Sequence, residues 1–170
     1  MNFSERFAWA VQLLDPQPGD HILEIGCGAG IFIEHIGRRL QQGSITAVDR
    51  SASMISKAGS RNRHLVESGK LQLLCSPISE VKNMTTTFDK VAAFNVNFFL
   101  KGPSQELQLI RGLMKPDGHL CIFHQAPYEI DETAAEPICS ALEKNGFRLV
   151  KLELKPLKPF AAIGTVFRLQ

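Results

Sequence analysis

Apolar positions along the chain switch between helical and strand spacing, and the order of the switches predicts the fold. Phe3, Phe7, Ala10 and Leu14 fall one helical turn apart, so residues 3–14 predict an amphipathic helix. Pro16-Gln17-Pro18-Gly19-Asp20 ends it with turn chemistry. Residues 21–25 form a short apolar run, a buried strand, and a glycine-rich turn follows. Residues 31–40 predict a helix with Phe32, Ile36 and Leu40 on one face, terminated by Gly43. Residues 44–49 are rich in β-branched side chains and predict a second strand. Ser51 caps a second crossover helix running to about Ser68, and residues 71–75 are a third strand.

The second half repeats the alternation. Residues 76–88, with Pro77 and the run Thr85-Thr86-Thr87, hold only a short helix. Residues 89–95 predict a fourth strand, and Pro103 opens a helix to about Met114. Lys115-Pro116-Asp117-Gly118 predicts a tight turn before a fifth strand over 119–123. A helix over 132–145 carries Ala134, Ile138, Ala141 and Leu142 on one stripe and closes at Gly146. Two strands, 147–154 and 161–169, end the chain with the stiff loop Pro156-Leu157-Lys158-Pro159 between them.

Alternating strands and helices imply parallel strands joined by right-handed crossovers. The last two strands lack a crossover helix and must run antiparallel to each other. The expected fold is α/β: a seven-stranded, mostly parallel sheet with an antiparallel last strand and helices on both faces. The near-continuous apolar strands agree with two covered faces. At 170 residues, a single domain spanning 1–170 is expected.

Composition narrows the function classes without naming one. The chain is 44% hydrophobic and 21% charged, ordinary for a globular protein. Nineteen basic residues against 17 acidic ones leave a net charge of +2, which gives no electrostatic case for a nucleic-acid partner. Short basic clusters at Arg38-Arg39 and Arg61-Asn62-Arg63-His64 read as solvated helix faces. The four cysteines, Cys27, Cys75, Cys121 and Cys139, have no zinc-ligand spacing, and no metal is expected. Cys75 and Cys121 sit in apolar runs and read as reduced core residues. The N-terminal 20 residues interleave acids with apolar residues, unlike a signal peptide, and no stretch approaches a membrane span. The expected location is the cytoplasm, with no membrane partner.

The chemistry concentrates at the first strand. It runs into Glu24-Ile25-Gly26-Cys27-Gly28-Ala29-Gly30, at the end of the sheet where open α/β folds bind ligands. Glycines let a ligand lie on the backbone. The spacing is G-x-G-x-G rather than the G-x-G-x-x-G of a dinucleotide site, and it is preceded by an acid. An acidic turn suits a cationic nucleoside better than a pyrophosphate. The second strand ends in Asp49, 23 residues after Gly26, where a carboxylate can accept from both ribose hydroxyls. A nucleotide-dependent oxidoreductase is therefore disfavoured.

Pro18-Gly19-Asp20-His21-Ile22-Leu23-Glu24-Ile25-Gly26-Cys27-Gly28-Ala29-Gly30 resembles motif I of the class I S-adenosylmethionine-dependent methyltransferases. Val48-Asp49-Arg50-Ser51, with Met54 and Ala58 following, resembles the family's second motif. Phe88-Asp89-Lys90-Val91 through Asn95, and Leu113 through Leu120 around Lys115-Pro116-Asp117-Gly118, resemble the motifs at strands four and five. The resemblance implies that S-adenosylmethionine is the cofactor. It implies that Gly26, Gly28 and Gly30 leave room for its methionine and ribose, that Glu24 sits near the ammonium end, that Asp49 holds the ribose hydroxyls, and that Cys27 and Arg50 belong to the cofactor-binding set. Met54 would pack near adenine, and Asn95 would help hold the ammonium through its main chain. One departure stands out: after strand three the sequence is Cys75-Ser76-Pro77-Ile78, without the acid many members carry there. Ser76, beside Pro77, offers adenine a neutral hydrogen bond instead.

Methyl transfer from a sulfonium needs alignment first and a base only where the acceptor must lose a proton. Asn97, after strand four, and His124 and Tyr128, after strand five, are the candidate catalytic residues. For His124 a loop-edge position with the ring paired to backbone competes with a catalytic role, and for Tyr128 a packing role does. Phe98 and Phe99 either line an acceptor pocket or pack in the core, and His35 reads as structural. No Asn-Pro-Pro-Tyr or Asp-Pro-Pro-Tyr follows strand four, which disfavours the nucleic-acid amine methylases of the family. Few residues precede the first strand, so the acceptor site is open or completed by a second subunit, as in a homodimer. Two readings remain: a methyltransferase on a small-molecule acceptor, and a non-catalytic S-adenosylmethionine-binding domain that serves a partner protein.

Overall fold

A computed structural model describes residues 3–81, 86–101 and 104–170. Its strands are β1 (His21–Ile25), β2 (Ser44–Asp49), β3 (Leu71–Cys75), β4 (Phe88–Phe94), β5 (Met114–His124), β6 (Phe147–Lys155) and β7 (Ala162–Leu169). The helices are α1 (Phe3–Leu14), α2 (Ile31–Gly37), α3 (Ala52–Arg61), α4 (Arg63–Glu67), α5 (Ser104–Leu113) and α6 (Glu136–Lys144). The strands form one seven-stranded sheet in the order β3-β2-β1-β4-β5-β7-β6. β1 pairs in parallel with β2 and β4, β2 with β3, and β4 with β5. β7 runs antiparallel to both its neighbours, β5 and β6. The expected fold class is the one observed.

Alternation along each strand divides the core between the two faces. In β1, Ile22 points to the side of α1, α2 and α3, where it joins Trp9, Phe32, Ile36 and Ala58. Leu23 points to the other side, where it joins Leu107 and Ile110 of α5 and Ile138 and Leu142 of α6. Strand order reverses between β1 and β4, so the crevice beyond their carboxyl ends is the natural ligand position. The opposite end of the sheet is tied by a buried lysine. Lys90 Nζ donates to the carbonyl of Leu14 at 3.0 Å and to that of Asp15, and lies 3.3 Å from Asp20 Oδ2. It closes the C-terminus of α1, which has no glycine cap of its own.

Several boundaries differ from the sequence expectation. The helix expected over 31–40 ends at Gly37, and Arg39 and Leu40 donate to the carbonyls three residues back, at Ile36 and Gly37. Leu40 is still buried. Gly43 does not cap that helix: a Cβ there would stand 2.2 Å from the Asp20 carbonyl, so its role is close passage beneath the 19–20 turn. The helix expected from Ser51 to Ser68 breaks at Asn62, whose φ of −108° leaves the helical range. Ser51 does cap α3, its hydroxyl accepting from the Met54 N–H. β4 ends at Phe94, because Asn95 turns to a φ of 55°. Pro103 and Thr85 lie outside the described residues.

The tight turn expected at 115–118 is absorbed into β5. Phe88 pairs with Met114 but Lys90 pairs with His119, so residues 115–118 loop out opposite Asp89. Lys115 Nζ holds the bulge by bonding Asp89 Oδ1 at 2.7 Å. The helix expected from residue 132 begins as a 3-10 turn, Glu132–Ala135, and becomes α-helical only at Glu136, beside Pro137. This rotation buries Ala135 and leaves Ala134 half-exposed. Cys121 is buried as expected, but Cys75 is exposed, at the carboxyl end of the edge strand β3.

Candidate functional site

The glycine turn leaves β1 under tight control from its neighbours. The Gly26 and Cys27 N–H groups both donate to the Val48 carbonyl, at 2.8 and 3.1 Å, which carries β1 past the end of β2. Gly26 has a φ of +70°, and a Cβ on it would meet Val96 Cγ2 at 2.7 Å. Only glycine satisfies both the left-handed backbone and that contact. Gly30, with φ +74°, is closed in from the other side: a Cβ would lie 2.6 Å from Asn62 Nδ2 and 2.9 Å from the Ala58 Cα.

Asn62 explains why the break in the second crossover exists. It is fully buried, and its Nδ2 donates to the Gly30 carbonyl at 2.9 Å and to the Ala58 carbonyl at 3.0 Å. It thereby ties the turn to α3. Sequence reasoning passed over Asn62 as part of a basic surface cluster; an amide interrupting a helical run was the available signal.

Asp49 ends β2 facing the turn. Its Oδ2 accepts from the Gly28 N–H at 2.9 Å and its Oδ1 from the Ser51 N–H at 2.9 Å. Two amides from different elements fix the carboxylate, and each oxygen keeps a lone pair for a further donor. Glu24 lies one layer deeper, between Ala47 of β2 and Ala92 of β4, whose small side chains leave it room. It is buried, and its Oε2 has no hydrogen-bond partner among the described residues. Burial first, and the nearby Asp49 second, push the Glu24 carboxyl well above the usual carboxylate range. Burial, with Glu24 and Asp49 adding to it, also raises the Cys27 thiol, which makes it a poor nucleophile.

Over the carboxyl ends of β1, β2 and β4 opens a cleft of about 620 Å³. Of the residues singled out from sequence, Gly26, Asp49, Arg50, Ser76, Pro77 and Asn95 line it, as does the candidate Asn97. Glu24, Cys27, Gly28, Gly30 and Met54 stand outside the lining: Gly28 and Met54 hold Asp49 and Ser51, and Gly30 anchors α3. Val96, Ile78, Lys101 and Glu106 also line the cleft and carried no motif. A 3-10 turn, Asn97–Lys101, forms its outer wall, with Phe98 stacked on the buried Phe99 at 4.1 Å. Phe98 lines the cleft and packs partly against the core, and Phe99 is buried in the core.

Beside the cleft, and sharing Asn95, Asn97 and Lys101 with it, lies a second recess of about 590 Å³ at the ends of β4 and β5. His124 and Tyr128 line it, so all three catalytic candidates meet there. Tyr128 is 62% exposed, which removes the packing role considered for it. His124 is half-buried, its ring makes no hydrogen bond with any described residue, and burial lowers its pKa below the ordinary value. Asn95 joins the two strand ends: its N–H donates to the Phe123 carbonyl at 2.9 Å and its Oδ1 accepts from the Gln125 N–H at 2.7 Å. A left-handed non-glycine residue bridging two pockets is backbone strain at a candidate site. His35 packs its ring against Phe7 at 6.1 Å, away from both pockets. Among the described residues no group of His, Cys, Asp or Glu is placed to hold a metal, and no helix is long and apolar enough to cross a membrane.

Comparison with known proteins agrees with this geometry. The family described as methyltransferase domain matches residues 23–120, more than half of the chain. Over 148 residues, 82% of its length, the chain is 27% identical to a carboxy-S-adenosyl-L-methionine synthase of Trichodesmium erythraeum, covering 56% of that protein. Over 108 residues, 61% of its length, it is 33% identical to a mitochondrial ubiquinone biosynthesis O-methyltransferase of Schizosaccharomyces pombe, covering 37% of that protein. The chain thus spans about half of these curated relatives, or less. In structure it is similar to a SAM-dependent methyltransferase from Aquifex aeolicus, with a TM-score of 0.73 at 18% identity, covering 96% of this chain and 89% of the other. The turn at Gly26, the acid that ends β2 and the 3-2-1-4-5-7-6 sheet occur together because the chain belongs to the class I S-adenosylmethionine-dependent methyltransferases.

Proposed function

We propose that the 170 residues act as one domain that binds S-adenosylmethionine in the cleft over β1, β2 and β4 and passes its methyl group to a small-molecule acceptor. The observation that carries the binding half is the Asp49 carboxylate, held by two backbone amides at the mouth of a turn that admits no side chain at Gly26. Such a carboxylate suits a ribose diol. The unpartnered Glu24 Oε2 is the second sign of fit, since a buried acid with a free oxygen suits a ligand that brings positive charge. Asp49, Arg50 and Gly26 would hold the nucleoside, with Ser76, Pro77 and Ile78 beside the adenine. Glu24 would act on the ammonium end, and Asn95 would hold it through the main chain. Gly28, Gly30, Cys27 and Met54 would shape the turn rather than touch the ligand.

Bound there, the cofactor supplies a methyl group on a positively charged sulfur. The chain's part is to hold the acceptor in line, which is worth up to roughly 7–11 kcal/mol in favourable cases. The recess that shares Asn95, Asn97 and Lys101 with the cleft is where an acceptor would stand. Calorimetry with S-adenosylmethionine, S-adenosylhomocysteine and NAD tests the reading. Binding of the first two and not the third is expected; binding of NAD alone overturns it.

A further inference from the structure

The recess at the ends of β4 and β5 has a chemistry of its own. One side chain in it can take a proton: His124, the last residue of β5, whose ring nitrogens bond no described residue. One can hold an anion: Lys101, which forms no ion pair with any described residue. The rest of the lining sets the amides of Asn95, Asn97 and Gln125 opposite an apolar part made by Leu100, Ala126, Pro127 and the exposed ring of Tyr128. An exposed tyrosine ring beside a proline offers a stacking surface, and aromatic ligands gain most from one.

We propose, resting on the methyl-transfer reading above, that the acceptor is a small aromatic acid carrying a hydroxyl group, with Lys101 holding its carboxylate and His124 removing the hydroxyl proton. The balance is simple. The acceptor's O–H proton passes to a ring nitrogen of His124, and the oxygen forms a bond to the methyl carbon. The carbon–sulfur bond breaks, its electron pair stays on sulfur, and the imidazolium later loses its proton to water. An ammonium acceptor would meet Lys101 as a like charge, so an oxygen acceptor is favoured.

His124 is suited to the part. Burial favours its uncharged ring, and the charged or titratable groups in the recess are Lys101 from the 3-10 turn and the Tyr128 hydroxyl. Its partner across the ladder on β7 is Ile163, which carries no charge. Glu106 lines the cofactor cleft and not this recess. His124 is therefore a neutral base near pH 7, as general-base catalysis requires.

The test uses the full chain saturated with S-adenosylhomocysteine. Salicylate, 4-hydroxyphenylacetate and 4-hydroxycinnamate are titrated in, each beside its methyl ester, while the His124 ring resonances are followed by NMR and assigned with His124→Gln. At least one acid should shift them and bind about tenfold or more tighter than its ester, and Lys101→Met should erase that preference. The same acid should accept labelled methyl from S-adenosylmethionine, and His124→Gln should lower kcat by roughly 10²–10⁴-fold. Its affinity for S-adenosylhomocysteine should stay within about twofold.

Failure of S-adenosylhomocysteine to bind overturns the methyl-donor reading. Binding of S-adenosylhomocysteine with no acid shifting His124 overturns the acceptor class alone. Equal affinity for acid and ester overturns the role of Lys101. Shift without methyl transfer, or kcat of His124→Gln within about threefold of the parent, overturns the role of His124 as base.

Discussion

Asp49→Asn separates what the carboxylate does for the fold from what it offers a ligand. Its two oxygens serve two backbone donors, Gly28 N–H and Ser51 N–H, each at 2.9 Å. An asparagine has one oxygen, and its NH2 would face the donor it cannot serve. One N–H then loses its partner. Asp49 is only half-buried, so the cost sits at the low end of the range for an unmade hydrogen bond, about 1 kcal/mol. For a chain of this size that lowers the thermal midpoint by about 2–4 °C. The ligand loses something separate. Hydrogen bonds to charged groups are worth roughly 1.5–3 kcal/mol, so S-adenosylhomocysteine affinity should fall about 10- to 150-fold. Urea unfolding reads the first quantity and titration calorimetry the second. A midpoint that falls while affinity stays within twofold would mean that Asp49 serves the turn alone and that the ribose lies elsewhere.

Gly30→Ala should destabilise the chain by about 2–4 kcal/mol, from the left-handed backbone together with a Cβ that meets the Ala58 main chain at 2.9 Å. A loss below about 1 kcal/mol in urea would show that α3 can yield there. Lys90→Met should cost about 3 kcal/mol, because it strands the buried Asp20 and the last carbonyls of α1. An unchanged unfolding midpoint would refute that account. Glu24→Gln should change the pH profile of stability. The folded carboxyl binds its proton more tightly than the unfolded one, so its stabilising contribution is complete below the usual glutamate range and declines as pH rises toward the raised value. Glutamine has no such loss, so the variant should gain on the parent chain between pH 5 and pH 8. A stability difference that does not vary with pH would show that Glu24 is better solvated than its burial implies.

Local signals were legible in the sequence wherever one segment determines its own conformation. β1, β2 and β3 and the Ser51 cap needed only neighbouring residues, and their bounds agree with the structure. The errors cluster where distant segments decide. Cys75 reads as core from its apolar run, but β3 is a sheet edge, and only the strand order reveals that. Lys115-Pro116-Asp117-Gly118 has turn composition, yet pairing of Phe88 with Met114 and of Lys90 with His119 folds it into a ladder as a bulge. Asn62 looks like surface polarity until Gly30 is seen to need a donor from that side.

The same division runs through the candidate site. The half over β1 and β2 is encoded in a single stretch, from Glu24 to Asp49, because a crossover between adjacent parallel strands returns the chain to the same end of the sheet. The half at β4 and β5 has no such stretch. Asn95 and His124 meet because Phe94 registers with Phe123, and Asn95 then clamps Gln125 across the gap with its own side chain. Lys101 arrives from a 3-10 turn that carries no motif. A cofactor shared by many proteins calls for one local pattern, which can be read from sequence. An acceptor particular to one protein can be met by any residues that the register brings together, so its recognition becomes visible only when the strand ends are placed side by side.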